Sequence, residues 1–411
     1  MANKKKIIND PIYGFITIPS DLIFDIIEHP YFQRLRRIKQ LGLADYTYPG
    51  ALHTRFHHAL GAMHLMGLAI ENLKSKGNVI TNEETEAVQI AILLHDIGHG
   101  PFSHALEFTL LQDTTHEQLT QIIFHKLNHH FDNRLDLAIQ IFEDKYPRKF
   151  LYQLVSSQLD IDRLDYLQRD CFFTGVSEGT IGADRIIKML ELVDDKIVVE
   201  EKAIYSIENF LSARRLMYWQ VYLHKTVVSA EQMIVQIIKR ARYLSLYDKS
   251  ILTTDSLKLF LQEEIDYEKF KNDPLYLEAF AKLDDYDVWS SIKLWSSSKD
   301  RVLNFLCNNL LNRKLFKIQI GKQPTEKTFV DIQKQYLAEN FNWTPEEINF
   351  LIVSGTISNA AYNSGNHQIN ILMRSGKVVE IGEATDLPNI KALNQIVTKH
   401  YTCWPKYAIP S

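Results

Sequence analysis

The sequence predicts a mainly α-helical protein that carries a small β-hairpin insertion and a C-terminal α/β appendage. From Ser20 to about Leu244, apolar residues recur at helical spacing between capping signals. One short stretch, "KIVVEEKAIYS", reads instead as a hairpin. Beyond Asn312 the composition shifts to β-prone runs. With 411 residues the chain is long enough for two or three folding units. The expected division is 1–245, 246–311 and 312–411.

Each element has a local reason. "SDLIFDIIEHP" starts on a Ser N-cap and stops before Pro30, while "TTHEQLTQIIFHKL" places Thr114 three residues ahead of Glu117, a capping-box spacing. Residues 206 to 243 read as one long amphipathic helix, and 250 to 310 continue as helices with a polar turn near "SSSKD". In the last region "KLFKIQI", "INFLIVSGTIS" and "HQINILMRSGKVVEIGEA" read as strands, and "PNIKALNQIVTKHY" as a helix.

Formal charge is only −4, so no general polyanion-binding surface is expected and nucleic acid is not indicated. The three cysteines, Cys171, Cys307 and Cys403, are far apart and form no CxxC, which suggests neither a disulfide framework nor a thiolate zinc site. Asn9, Asp10 and Pro11 interrupt the stretch that a secretory signal would need, and no run approaches the roughly 18 apolar residues of a membrane span. The expected location is the cytoplasm, with no membrane partner.

The stretch "HDIGHGPFSH" (residues 95 to 104) follows the apolar run "AVQIAILL". A helix that only had to stop would need Gly98 and Pro101, not three histidines and an aspartate. Upstream, "TRFHHALGAMH" offers His57, His58 and His64; downstream, "SQLDIDRLDYLQRD" offers Asp160, Asp162, Asp165 and Asp170. Isolated helical histidines are mostly packing or surface residues, the reading taken for His57, His64, His125, His129 and His130. His58, the adjacent His95 and Asp96, and Asp162 together make a mixed imidazole and carboxylate set. Such a set suits Fe, Mn, Ni or Mg better than the sulfur-rich shell of structural zinc.

These stretches, with "INDPIYG", "YFQRLRRIKQLG", "YPGALHTRF" and "YLHK" in the same order, closely resemble the HD-domain phosphohydrolases. The likeness is strongest to the SAM-and-HD-domain deoxynucleotide triphosphohydrolases and their bacterial relatives, though no SAM domain is visible here. The resemblance covers about residues 6 to 230 and implies a helical HD-domain core. It implies that His58, His95, Asp96 and Asp162 hold a divalent ion, one of Mn, Fe, Mg, Ni or Zn. It makes His99, His104 and His116 catalytic, with Glu107 where the family has an aspartate.

The same resemblance places Gln40 and Leu41 against a deoxyribose, and Arg55, Arg163, Tyr166 and Arg214 near phosphates. Asp170 falls near the 3′-hydroxyl and Tyr222 near the base. "GLADYTYPG" departs from the family's glycine-richer stretch beside Gln40. A guanine-nucleotide effector between subunits of a homo-oligomer, a dimer or tetramer, is also implied. Its residues would be Lys6, Ile7, Asn9, Gln33 and Arg36, with Glu28 where the family has aspartate.

Helical geometry gives independent support. Asp162, Arg163, Tyr166 and Asp170 fall within about 100° on one helix face. In a continuous α-helix Arg214, Tyr218, Val221, Tyr222 and Lys225 form one stripe, with Arg214 and Lys225 about 20° apart. Hydrolysis of a phosphoester needs a Lewis acid, cations for developing charge and an acid for the leaving oxygen. The expected activity is hydrolysis of deoxynucleoside triphosphates to deoxynucleoside and triphosphate, with His104 protonating the 5′-oxygen and Glu107 or His116 orienting it. The rival readings are an HD phosphohydrolase for another nucleotide, a cyclic dinucleotide or a nucleic-acid end, and a non-catalytic nucleotide- or nucleic-acid-binding regulator.

Overall fold

The computed structural model describes residues 6–247, 251–359, 368–386 and 396–406; the side chain of His104 lies outside the described set. Nine helices frame the site: α1 (Asp21–Glu28), α2 (Arg55–Ser75), α3 (Asn82–Leu94), α4 (His116–His130), α5 (Ile161–Thr174), α6 (Ile204–Met217), α7 (Lys225–Tyr247), α8 (Asp285–Trp295) and α9 (Arg301–Leu311). Shorter helices and turns link them. α1 begins where Ser20 Oγ accepts the Ile23 amide at 3.2 Å, and it buries Leu22, Ile23, Ile26 and Ile27. Each such side chain contributes about 1.5–3 kcal/mol by leaving water.

α2 and α3 pack against each other, and α2 also packs on α5, so the three form the centre of the helical body. α3 opens on a full capping box: the Thr81 hydroxyl accepts the Glu84 amide at 3.0 Å and Glu84 accepts the Thr81 amide at 2.8 Å. α4 also opens on a capping box, but one residue later than predicted. Thr115 is the N-cap and Gln118 closes the box, because Thr114 is fully buried and donates its hydroxyl to the Gln112 carbonyl.

Two further expectations are corrected. The hairpin consists of β3 (Leu190–Val193) and β4 (Lys196–Glu200), one strand earlier than predicted, with "EEKAIYS" leading into a 3-10 turn and α6. Its turn is Asp194-Asp195, both at positive φ, and this pair lacks the glycine that usually marks such a turn. The single helix predicted over 206–243 is broken. α6 ends at Met217, Tyr218–Tyr222 form a π-turn, Leu223 and His224 leave helical geometry, and α7 starts at Lys225.

β1 (Ile7–Asp10) and β2 (Gly14–Thr17) form an N-terminal hairpin. β5 (Lys317–Gly321) and β6 (Val353–Asn359) flank β9 (Val397–Trp404), antiparallel on both sides. β7 (Asn370–Leu372) and β8 (Val378–Glu380) extend the β3–β4 hairpin through a parallel β4–β7 pairing, Val199 opposite Ile371. The predicted C-terminal helix over 388–401 is corrected where it can be followed: Val397 to Tyr401 are strand, and 388–395 lie outside the described residues. The β-branched and aromatic residues of "VTKHYTCW" favour the central strand of that sheet.

Candidate metal centre and active-site cleft

His58 projects from the first turn of α2, His95 and Asp96 from the end of α3, and Asp162 from the first turn of α5. His58 Nε2 lies 3.1 Å and His95 Nε2 3.3 Å from the same Asp162 oxygen, Oδ1. Asp96 completes the group, its Oδ1 3.4 Å from His95 Nε2 and its Oδ2 3.9 Å from His58 Nε2. Both Nε2 atoms are buried and make no hydrogen bond. The far nitrogen of each ring is occupied: His95 Nδ1 donates to the Ile92 carbonyl at 2.6 Å and His58 Nδ1 to Asp165 Oδ2 at 2.7 Å. With Nδ1 committed as the donor, it is Nε2 that each imidazole can offer to a metal ion beside the carboxylates. His58, His95 and Asp162 offer ligand atoms within 4.8 Å of one another, so the donor set fits a divalent ion.

The charge balance points the same way. Burial opposes charge on His58, yet the Asp162 and Asp165 carboxylates outweigh it and push the imidazole up to about 10. Burial likewise opposes ionisation of Asp162, but the two imidazoles hold it well below the usual carboxylate range. Positive charge is thus favoured between these groups. A divalent ion answers that demand in place of protons.

A buried ion pair braces the centre. Asp165 takes two bonds from Arg169, at 2.9 Å each, and Arg169 also donates to Asp10 at 2.8 Å. A Cβ on Gly61 would meet Arg169 Nη2 and Asp165 Oδ1 at 2.1 Å, so glycine is what lets α2 approach this pair. Sequence reasoning offered Asp165 only as one of several aspartates and passed over Arg169. Their i,i+4 spacing looks like an ordinary solvated helix pair.

The turn after α3 explains the other residues of "HDIGHGPFSH". A Cβ on Gly98 would meet the His116 carbonyl at 2.2 Å and the Thr120 amide at 2.4 Å, which brings α4 against the turn. Arg34, fully buried, donates to the Ile97 and His99 carbonyls at 2.7 and 2.9 Å. Phe102 and Ser103 both stand at positive φ. Phe102 is held by Asp285 of α8, whose carboxylate accepts the Phe102 and Lys39 amides at 2.9 Å each. His99 stacks on His116 with ring centroids 3.9 Å apart, and Glu107 accepts from His116 Nδ1 at 2.8 Å. Burial, and then the nearby Arg55, hold the His99 imidazole well below its usual value, so it is neutral at pH 7.

These parts open into a cleft of about 430 Å³. Gln40, Leu41, Arg55, Asp96, His99, His116, Asp162, Arg163, Tyr166, Asp170 and Tyr222 all line it. Arg55 bonds Ser103 Oγ through Nε and Nη2, at 3.0 and 2.7 Å, and pairs with Asp96 through Nη1. Arg163 pairs with the N-cap Asp160. At the other side Asp170 accepts from His53 Nε2 and from the Tyr222 hydroxyl, both at 2.7 Å.

A family profile for the HD domain matches residues 55–170, and one for the HD-associated region matches 181–266. The crystal structure of a phosphohydrolase from Bacteroides thetaiotaomicron superposes with a TM-score of 0.95 at 48% identity, over 98% of this chain and 100% of that one. The uncharacterized protein YwfO of Bacillus subtilis is 31% identical over 92% of this chain and 87% of its own length. The chain belongs to the HD-domain phosphohydrolases. The human deoxynucleoside triphosphate triphosphohydrolase SAMHD1 is 28% identical over 84% of this chain and 58% of its own length.

Within this HD-domain phosphohydrolase, one predicted cleft residue stands elsewhere. Lys225 is exposed and does not line the cleft, whereas Arg214 is buried, donates to Gln158 Oε1 at 3.2 Å and acts by its charge on the cleft-lining Tyr166. The predicted stripe assumed an unbroken α-helix; the π-turn and the break at Leu223 rotate α7 out of register with α6. Tyr218 and Tyr222 of that π-turn do reach the cleft. His104 sits in the 3-10 turn Ser103–Ala105, and its side chain lies outside the described set.

The predicted effector residues of this HD-domain phosphohydrolase are on the surface away from the cleft. Lys6 Nζ lies 4.3 Å over the Phe24 ring; Ile7, Asn9 and Glu28 are exposed. Gln33 donates to the Ile27 carbonyl at 2.8 Å and accepts from Arg36 Nε at 2.9 Å, with the Arg36 guanidinium 3.6 Å over Phe56. Sequence reasoning missed Asp285, His53 and Glu231. No helix among the described residues is long and apolar enough to cross a membrane.

Proposed function

We propose that this chain is a metal-dependent deoxynucleoside triphosphate triphosphohydrolase, releasing a deoxynucleoside and inorganic triphosphate. One observation carries the reading: Asp96 and Asp162 of the ligand cluster line the same cleft as the Asp170–Tyr222 pair. A buried carboxylate with a bonded phenol is suited to accept a 3′-hydroxyl, and it would repel a 3′-phosphate. That disfavours polymer substrates. The likeness to the human deoxynucleoside triphosphate triphosphohydrolase supports the reading.

A divalent cation at the cluster supplies Lewis acidity for phosphoryl oxygen and water. Arg163 supplies a fixed positive charge to the phosphate chain, held in place by Asp160. Arg55 does the same from the opposite wall, anchored on Ser103. Gln40 and Leu41 bound the sugar. His104 gives a proton to the departing 5′-oxygen, and the neutral His99 and the Glu107-bound His116 complete the catalytic histidines.

The proposal extends to regulation: a guanine nucleotide bound at Lys6, Ile7, Asn9, Glu28, Gln33 and Arg36 promotes a homo-oligomer. The exposed cations Lys6 and Arg36 support it. Metal-loaded protein incubated with each deoxynucleoside triphosphate and followed by phosphorus NMR tests the activity. Triphosphate is the expected product; pyrophosphate, or no turnover with any metal and effector, would overturn the reading.

A further inference from the structure

Glu231 lines the cleft from α7, one turn beyond Val227, which also lines it. Val227 is buried in a small apolar cluster with Ala44 and Ala51, against which Leu41 packs. The carboxyl of Glu231 therefore stands beside an apolar wall. Glu231 is half-buried, and among the described residues no hydrogen bond or ion pair holds it; burial pushes its pKa up to about 7, and the Tyr401 phenol of β9 lies close enough to feel its charge. It is not one of the groups gathered at the ligand cluster.

An ionisable group left enclosed and unpaired is costly to the folded protein unless a ligand completes it. Here the acceptor lines the cleft that is read above as the nucleoside site. We propose that Glu231 reads the base of the substrate and selects guanine, its two carboxylate oxygens accepting the adjacent N1–H and N2–H donors. This inference rests on the reading of the cleft as a nucleotide site.

The chemistry separates the bases. An ionised carboxylate only accepts hydrogen bonds. Guanine presents two neighbouring donors on one edge, whereas adenine and cytosine pair each donor with an acceptor and thymine sets one donor between two acceptors. Those three leave one carboxylate oxygen facing a lone pair. A site built to hydrogen-bond its ligand rejects an analogue that leaves its buried groups unpaired, and a good bidentate contact discriminates by about tenfold to a hundredfold.

The test is equilibrium binding of the α,β-imido analogues of dGTP, dITP, dATP, dCTP and dTTP to magnesium-loaded wild type, Glu231→Gln and Glu231→Ala. These analogues report binding whether or not turnover occurs. Wild type is expected to prefer the guanine analogue by about tenfold or more, with the inosine analogue, which lacks the 2-amino group, in between. Glu231→Gln places an amide donor against N1–H and should abolish the preference while binding of the other bases is retained. Glu231→Ala should flatten the ranking too, which separates loss of the acceptor from misplacement of a bulkier side chain. An unchanged ranking in both variants, or no guanine preference in wild type, overturns the inference. If the ranking moves with Glu231 but natural substrates yield no triphosphate, the base contact stands and the proposed reaction falls; if no analogue binds at all, both fall.

Discussion

His58 donates from Nδ1 to Asp165 across 2.7 Å, and that bond fixes which way its Nε2 faces, toward Asp162 at 3.1 Å. Asp165 is held in turn by Arg169, and Arg169 by Asp10 of the N-terminal hairpin. Removal of such an outer partner usually lowers metal affinity about 10–100-fold.

Asp165→Asn is expected to lower affinity for Mn²⁺ by that factor. It should also cost about 3–5 kcal/mol of stability, because the fully buried Arg169 keeps only Asp10 as a charged partner. Metal titration and urea unfolding measure the two effects. Gly61→Ala should give the same pair of defects without touching either charge, since its Cβ would displace the Asp165–Arg169 contact.

Asp162→Ala should lose bound metal and activity together, because one carboxylate oxygen faces both imidazoles. His104→Ala should keep its metal and lose about 10²–10⁴-fold in turnover. Elemental analysis beside single-turnover rates distinguishes them. A near-normal rate for His104→Ala would remove that residue from proton transfer.

Asp285 gives a pH signature. Burial raises its carboxyl from the ordinary 3.8 to about 6, against the pull of the Lys39 and Phe102 amides. A group that holds its proton more tightly when folded lends stability that is complete below the unfolded pKa and lost as pH rises through the folded one. Wild type should therefore lose about 3 kcal/mol relative to Asp285→Asn between roughly pH 4 and pH 6. Urea midpoints of the two proteins across that range test this, and parallel curves would contradict it.

If the effector reading holds, GTP or dGTP should raise both the sedimentation coefficient and the activity of wild type. A ligand bound between subunits favours the assembled state by its differential affinity. Arg36→Ala should respond to neither nucleotide. Full activity of a nucleotide-free protein whose assembly state never changes would leave these residues with packing roles alone, such as the stacking of Arg36 on Phe56.

What the sequence made legible was chemistry concentrated in short stretches. His58, His95, Asp96 and Asp162 stood out because helices rarely need that residue set for folding, and one face of α5 was readable from its period. Contacts made across long separations were not. Asp285 touches the backbone of Lys39, 246 residues away, and nothing near "DDYDVW" announces it. Glu231 is one glutamate in an amphipathic helix until its surroundings are known. Lys225 was misplaced because a uniform 3.6-residue period was carried across a segment that does not obey it.

That segment, Tyr218–Tyr222, also divides the lineage of the cleft. α6 packs on α5, whereas α7 packs on α9 and β5 and also on the turns Ala44–Tyr46 and Ser103–Ala105 and on Glu107–Leu110. Substitutions accumulating in the C-terminal region can re-seat α7, and with it Val227 and Glu231, while α6 and the ligand-bearing helices stay in place. In descendants of this scaffold, the wall that discriminates between substrates can drift relative to the metal ligands but stays tied to the turn Ser103–Ala105 and to Glu107–Leu110, on which α7 also packs.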